Sequence, residues 1–228
     1  MSPPPNRAAV AAKIDHTLLA PEASDHDVEA LCEEAIELGV RAACVSAARV
    51  PAAVRVLAGS KVRLAAVVGF PSGAHLAAVK RDEAARALGD GATELDMVID
   101  LGYAAVDDWA MVGEEVAGVR AAVPAPAVLK VIIESAVLSE QGIDAACAAC
   151  VAAGADFVKT STGFHPAGGA SEAAVARIAR NVGVASLGVK ASGGIRSAEQ
   201  ALGMVAAGAT RLGMSRTAQV LDEIGAIA

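Results

Sequence analysis

Three of the six lysines in this 228-residue chain fall inside apolar, β-branched runs: Lys130, Lys159 and Lys190. A strand buried on both faces disfavours lysine, because the ammonium must be desolvated unless something nearby compensates. Lys159 sits in Phe157-Val-Lys-Thr-Ser-Thr-Gly163 and Lys190 in Val189-Lys-Ala-Ser-Gly-Gly194, at the ends of consecutive runs. Neighbouring strands would bring the two ammonium groups close together. A second cation beside a partly buried lysine favours the neutral amine, which is the nucleophilic form. Moving a lysine from ~10.4 to about 7–8 costs roughly 3–5 kcal/mol of charged-state stability. Such an amine suits Schiff-base formation with a carbonyl. The competing reading pairs each lysine with a carboxylate as a buried ion pair, and spacing alone leaves both open.

Carboxylates lie in the same kind of context. Asp96, in Thr93-Glu-Leu-Asp-Met-Val-Ile-Asp100, stands inside an apolar run, and Asp15, in Lys13-Ile-Asp-His-Thr-Leu-Leu19, does the same on the first one. An aspartate among lysines can move protons while it helps hold Lys190 charged. The alternative for both is a salt bridge to a strand lysine. Glu134 and Asp100 also end apolar runs and rank below them. Glu33, Glu34 and Arg86, with Lys13, Lys61 and Lys80, read as solvated faces. A third element is an anion site. Ala191-Ser-Gly-Gly194 follows one strand and Gly213-Met-Ser-Arg216 ends another before a helix, where glycines permit close backbone approach to a phosphate and Arg216 offers a charge-assisted contact. None of the four histidines has metal-ligand spacing, His16 reads as structural, and no metal is expected. Cys147-x-x-Cys150 lies in the apolar helical pattern Ala145–Ala153 without a second ligand pair, so it reads as buried thiols.

What must position these groups is visible in a repeated phrase. A helical pattern ends in glycine and a β-branched run follows, at Gly39, Gly91, Gly154 and Gly208. Glycine at the helix C′ position takes the left-handed conformation at little cost. Eight strands are predicted: Ile14–Thr17, Ala42–Ser46, Val62–Gly69, Glu94–Ile99, Val128–Glu134, Phe157–Ser161, Leu187–Ala191 and Arg211–Met214. They are near-continuous apolar runs, as in parallel strands covered on both faces. Helices between them carry N-cap signals at Ser24, Ser139, Ser171 and Ser197, the last with Gln200 at capping-box spacing. Eight strands alternating with helices predict an α/β fold, a single-domain (β/α)8 TIM barrel over residues 13–228, after a short disordered lead-in over residues 1–12. A doubly wound open sheet lacks support, since no Gly-x-Gly-x-x-Gly follows the first strand. In such a barrel the active site lies at the C-terminal ends of the strands.

Composition narrows the partners. The chain is 54% hydrophobic and 20% charged, enough for a sizeable core and too apolar for disorder. A formal net charge of −7 argues against nucleic acid as the main partner. No apolar stretch reaches the ~18 residues a membrane span needs, and the first residues lack an apolar signal core, so a cytoplasmic protein is expected.

Six motifs together resemble the deoxyribose-phosphate aldolase family. They are Ile14-Asp-His-Thr-Leu-Leu19, Val68-Gly-Phe-Pro71, Glu94-Leu-Asp-Met-Val-Ile99, Leu129-Lys-Val-Ile-Ile-Glu134, Phe157–Gly163 and Val189–Gly194. The resemblance runs in order from about residue 13 to 220. It implies a class I aldolase with no cofactor, cleaving 2-deoxy-D-ribose 5-phosphate reversibly to D-glyceraldehyde 3-phosphate and acetaldehyde. By the same resemblance Lys159 forms the Schiff base, Lys190 perturbs it and takes part in proton transfer, Asp96 is the acid/base and Asp15 supports it. Thr17, Cys44, Thr162 and Gly163 fall on the substrate pocket, while Gly193, Gly194 and Ser215 fall on the phosphate cradle, with Arg216 beside them. A homodimer is the implied assembly. Cys44-Val-Ser-Ala-Ala departs from the family's usual Cys-Val-Asn-Pro, and Met214 and Arg216 depart from its usual last-strand motif.

Overall fold

Each of the four glycines that close a helical phrase adopts a positive φ, at 65° for Gly39, 113° for Gly91, 76° for Gly154 and 113° for Gly208. The chain turns there from helix into strand, and the repetition builds the fold. The computed structural model describes residues 6–227. Helix α1 (Arg7–Ala11) leads into β1 (Ile14–Leu18), α2 (Asp25–Leu38) and β2 (Ala42–Ser46). Next come α3 (Val50–Leu57), β3 (Arg63–Val68), α4 (Ala77–Gly89) and β4 (Glu94–Val98). Two helices, α5 (Leu101–Ala105) and α6 (Trp109–Ala122), precede β5 (Val128–Ile132). The last elements are α7 (Glu140–Ala152), β6 (Phe157–Lys159), α8 (Glu172–Val182), β7 (Gly188–Ser192), α9 (Ala198–Ala206), β8 (Arg211–Met214) and α10 (Thr217–Ile227). The eight strands pair in sequence order, all parallel, and β1 pairs with β8 to close the barrel. The single-domain (β/α)8 expectation holds.

Capping does what the serines predicted at most helix starts. Ser24 and Asp27 form a reciprocal capping box on α2. Ser139 and Ser171 accept from backbone N–H groups of α7 and α8. Ser197 caps α9, but Gln200 does not close the box on it. Its Oε1 reaches one residue further and accepts from the Arg196 N–H at 2.8 Å, tying down the loop after β7.

Three expectations need correction. The lead-in over residues 1–12 is not irregular throughout. Residues 1–5 lie outside the described residues, but Arg7–Ala11 is a helix capped by Asn6 that buries Val10 and Ala11. Strand β6 ends at Lys159 rather than Ser161. At Thr160 the side chain takes over part of the pairing, its hydroxyl donating to the Ser192 carbonyl and accepting from the Ser192 N–H at 3.1 Å each. Lys80 is not on a solvated face: it is fully buried between α4 and α6, donating to Glu115 at 2.6 Å and to the Val98 carbonyl at 2.8 Å.

Side chains alternate along each strand, one set toward the helices and the other into the barrel. The outward set joins the helices in one large apolar cluster that includes Leu95, Met97, Val131, Val158, Ala191 and Leu212. Among the described residues a small apolar cluster, Leu19, Cys44, Ala65 and Val67 with Phe70 against it, forms apart from that one. On the remaining strands charged side chains take several of the interior positions, among them Asp15, Glu94, Asp96, Lys130, Lys159, Lys190 and Arg211.

Candidate active site

Seven ionisable groups meet inside the barrel because the register of parallel strands places them there. Lys159 on β6 pairs in register with Lys190 on β7, Lys190 with Arg211 on β8, and Asp96 on β4 with Lys130 on β5. Asp96 is their hub. Its Oδ2 accepts from Lys159 and from Lys190 at 2.7 Å each, so the two nitrogens lie within twice that distance of each other. Its Oδ1 accepts from Lys130 at 2.7 Å. Asp15 on β1 accepts from Lys190 and from Arg211, the latter at 2.7 Å. Glu94 accepts from Arg211 at 2.9 Å and pairs with Lys130 at 2.8 Å. Gly213 on β8 leaves room for this packing, since a Cβ there would stand 3.1 Å from the Lys190 side chain.

Four cations thus face three carboxylates in a buried space, where a net charge is costly. Lys159 is the group least compensated. Lys130 has three carboxylates within 3.5 Å, Lys190 and Arg211 have two each, and Lys159 has only the Asp96 oxygen that it shares with Lys190. The proton affinities follow this ranking. Burial alone would lower every one of the four. For Lys130, Lys190 and Arg211 the carboxylates outweigh burial and push the pKa up. For Lys159 burial wins and Lys190 adds to it, so the amine lies below the usual lysine value despite Asp96. The lowering expected from the sequence is present, but its leading cause is desolvation, with the neighbouring cation second. Burial would raise Asp96, yet Lys130, Lys159 and Lys190 hold it well below the usual carboxylate range. Asp15 is likewise lowered against burial, by Lys190, Lys130 and Arg211. Both aspartates are therefore resting anions.

Of these seven groups only Lys159 lines the adjoining cavity of about 510 Å³, which opens at the C-terminal ends of the strands. Thr17, Thr162, Gly163, Gly193, Gly194 and Ser215, all of them named from the motifs, also line it. Lys190, Asp96, Asp15 and Cys44 are buried behind its wall. Arg216 is exposed and is not among the residues lining the cavity, and α10 begins at the next residue. Arg196 lines the wall instead. Among the described residues, the backbone N–H groups of Gly193, Gly194 and Ser215 have no acceptor in the protein. Free N–H groups beside the loops after β7 and β8 make a cradle for an anion. The cradle depends on close backbone contact. Gly193 has φ 90°, and a Cβ on it would stand 3.0 Å from the Gly169 Cα and 3.1 Å from the Gly163 Cα.

Residues 9–227 match the family described as DeoC/LacD family aldolase. The chain belongs to the DeoC/LacD aldolase family. Its relatives include the deoxyribose-phosphate aldolase of Kocuria rhizophila, 58% identical over 95% of this chain and 97% of that one. The deoxyribose-phosphate aldolase of Mycobacterium avium is also 58% identical, over 97% and 99%. Among solved structures, the deoxyribose phosphate aldolase from Aeropyrum pernix, described as a unique tetramer, superposes with a TM-score of 0.91 at 36% identity. That superposition covers 98% of this chain and 94% of the other. As a member of this aldolase family the chain is a carbon–carbon lyase.

Other parts of this aldolase hold the cavity in shape. Glu134, two residues past β5, has a left-handed backbone with φ 49°. Its carboxylate accepts from both the N–H and the hydroxyl of Thr162, at 3.2 and 2.5 Å, fixing the segment that follows Lys159. The Thr162 hydroxyl in turn accepts from the Phe164 N–H at 3.1 Å, and Phe164 packs edge-on against Phe70. His16 is structural, as expected, joining Thr217 at 2.8 Å and Glu34 at 2.9 Å. Glu34 is therefore more than a solvated face. Cys147 and Cys150 are buried in α7, and burial pushes the Cys147 thiol up to about 12. Sequence reasoning missed Arg211, Glu94 and Arg196. The first two carried the same signal as Lys159, a charge within an apolar run, but each opens its run and so reads as an end.

Proposed function

We propose that this aldolase cleaves 2-deoxy-D-ribose 5-phosphate, reversibly, to D-glyceraldehyde 3-phosphate and acetaldehyde through a Schiff base on Lys159. One observation carries the reading. Of three lysines buried in the strands, the one that reaches the cavity is also the one whose amine is lowered. The neutral amine adds to the C1 aldehyde of the open-chain sugar, and loss of water leaves an iminium. The C2–C3 bond then breaks. Its electron pair flows into the iminium to form an enamine, and the C3 hydroxyl loses its proton as the C3 carbonyl of glyceraldehyde 3-phosphate forms. Protonation of the enamine at C2 and hydrolysis release acetaldehyde and restore the amine.

Asp96 and Lys190 are assigned the proton transfers. Lys190, held charged by Asp15 and Asp96, supplies a proton, and Asp96, held ionised, orients the Lys159 nitrogen and accepts one, directly or through water. Asp15 acts by holding Lys190. Thr17, Thr162 and Gly163 contact the sugar, and Cys44 backs the apolar side of the site. The 5-phosphate sits at Gly193, Gly194 and Ser215 with the Arg196 guanidinium, in the place the sequence reading gave to Arg216. Among the described residues no helix is long and apolar enough to cross a membrane. A homodimer acting in the cytoplasm completes the proposal.

Borohydride added with substrate is expected to abolish activity and to leave a reduced adduct on the peptide containing Lys159, read by mass. An adduct on Lys190 or Lys130 would refute the assignment. Acetaldehyde release without any trappable adduct would favour a chemistry other than the Schiff base. The cradle has its own test. Gly193→Ala crowds the Gly163 and Gly169 backbone at a strained φ, so the KM for the 5-phosphate should rise about tenfold or more. Cleavage of unphosphorylated 2-deoxyribose should change much less. Equal losses on both sugars would remove Gly193 from the phosphate site.

A further inference from the structure

We propose that Arg211 and Glu94, two charged residues that do not line the cavity, are positioning residues that set the pH at which Lys159 becomes a nucleophile. The inference rests on the Schiff-base reading above and extends it to groups which that mechanism does not use. Arg211 donates through one nitrogen, Nη1, to Asp15 at 2.7 Å and to Glu94 at 2.9 Å, and its guanidinium lies 5.2 Å from the centroid of the Phe157 ring. Glu94 holds Lys130 from the other side, at 2.8 Å. From Arg211 the contacts run unbroken to the nucleophile: Asp15 to Lys190, Lys190 to Asp96, and Asp96 to Lys159. Every residue on this path is buried.

The physical argument is a charge count in a medium that screens poorly. With all its groups ionised the cluster carries one positive charge too many, and the least compensated amine is the one that gives up its proton. Removing a distant charge changes that count. In a buried site of effective dielectric about 20, a unit charge some 10 Å away moves a pKa by about one unit. The groups around Lys159 are Asp15 on β1, Cys44 on β2, Asp96 on β4, Lys130 on β5 and Lys190 on β7. Glu22 and Arg196 line the same cavity. Arg211→Met leaves three carboxylates opposite three cations that must include Lys159, so its ammonium is retained to higher pH. Glu94→Gln removes an anion and has the opposite sign. Ordinary scaffolding would behave differently, since losing either residue would then loosen the same strands and harm both variants alike.

The test is the pH dependence of cyanoborohydride trapping with acetaldehyde, on the full chain. The midpoint is expected to rise by about one unit in Arg211→Met, to fall by a similar amount in Glu94→Gln, and to return to within a few tenths of the parent in the double variant. Arg211→Lys keeps the charge without the forked geometry and should keep the midpoint. If Arg211→Met or Glu94→Gln does not fold, Arg211→Gln or Glu94→Leu takes its place, with the same expected direction of shift. Midpoints that stay put, or that move in the same direction in both singles, while the adduct still forms on Lys159, would overturn this inference alone. A parent protein that traps no adduct would overturn the Schiff-base reading and this inference with it.

Discussion

Lys159→Leu is expected to lose aldol cleavage by at least about 10⁴-fold in kcat while the barrel stays folded. The first half follows from the mechanism, because no other lysine of the cluster opens to the cavity. The second half follows from the charge count. Without Lys159 three cations, Lys130, Lys190 and Arg211, remain opposite Asp15, Glu94 and Asp96, and the buried site is neutral. A leucine there also removes an amine that burial disfavours as a cation. The thermal midpoint should therefore hold or rise, a combination of full stability and lost activity that suits a residue retained for chemistry. Acetaldehyde release and calorimetry on the same preparation read both. Turnover above a few per cent of the parent would mean that the nucleophile is elsewhere. A collapsed midpoint would mean that the ammonium supports the fold.

Lys190→Leu should cost about 10²- to 10⁴-fold at neutral pH, for two separable reasons. The proton donor proposed for the cleavage step is gone. In addition, Asp15 and Asp96 lose the cation they share, so the Lys159 charge becomes the one that neutralises the cluster. A lysine whose charged form gains in this way has its pKa raised, and the neutral fraction at a given pH falls. The loss should shrink as pH rises, with the acidic limb of kcat/KM displaced upward, and recovery should stay incomplete because the donor is still missing. A profile measured from pH 6 to 10 distinguishes the two contributions. Near-parent turnover at pH 7 would show that the second cation is dispensable.

The misplacements share a cause. Lys80 reads as a solvated helix residue because its neighbours are Arg81 and Asp82. What buries it is Glu115, 35 positions away on α6, brought near only when α4 packs on that helix. Arg216 and Arg196 follow strands of similar pattern, and the choice between them depends on where the next helix begins. Helix α10 begins at the residue right after Arg216, whereas one residue, Ser197, separates Arg196 from the start of α9, and Arg196 lines the cavity wall. Glu134 contributes through a left-handed backbone and through Thr162, 28 residues on. No local pattern announces either.

The periods of the chain alone determined the barrel. Apolar runs of strand length, glycine-closed helices and serine caps are local signals, and eight repetitions admit little else. The same runs marked Lys159, Lys190, Asp96 and Asp15, because a charge inside an apolar strand is conspicuous without any partner in view. The resemblance named Lys159 as the Schiff-base lysine, but the physical grounds for that choice among the three amines are visible only in the tertiary structure. That choice depends on how many carboxylates each amine touches and on which one faces the cavity. Both are properties of strands brought together from opposite ends of the chain, and in a buried site it is this pooled charge, rather than any neighbour in sequence, that decides where the proton is missing.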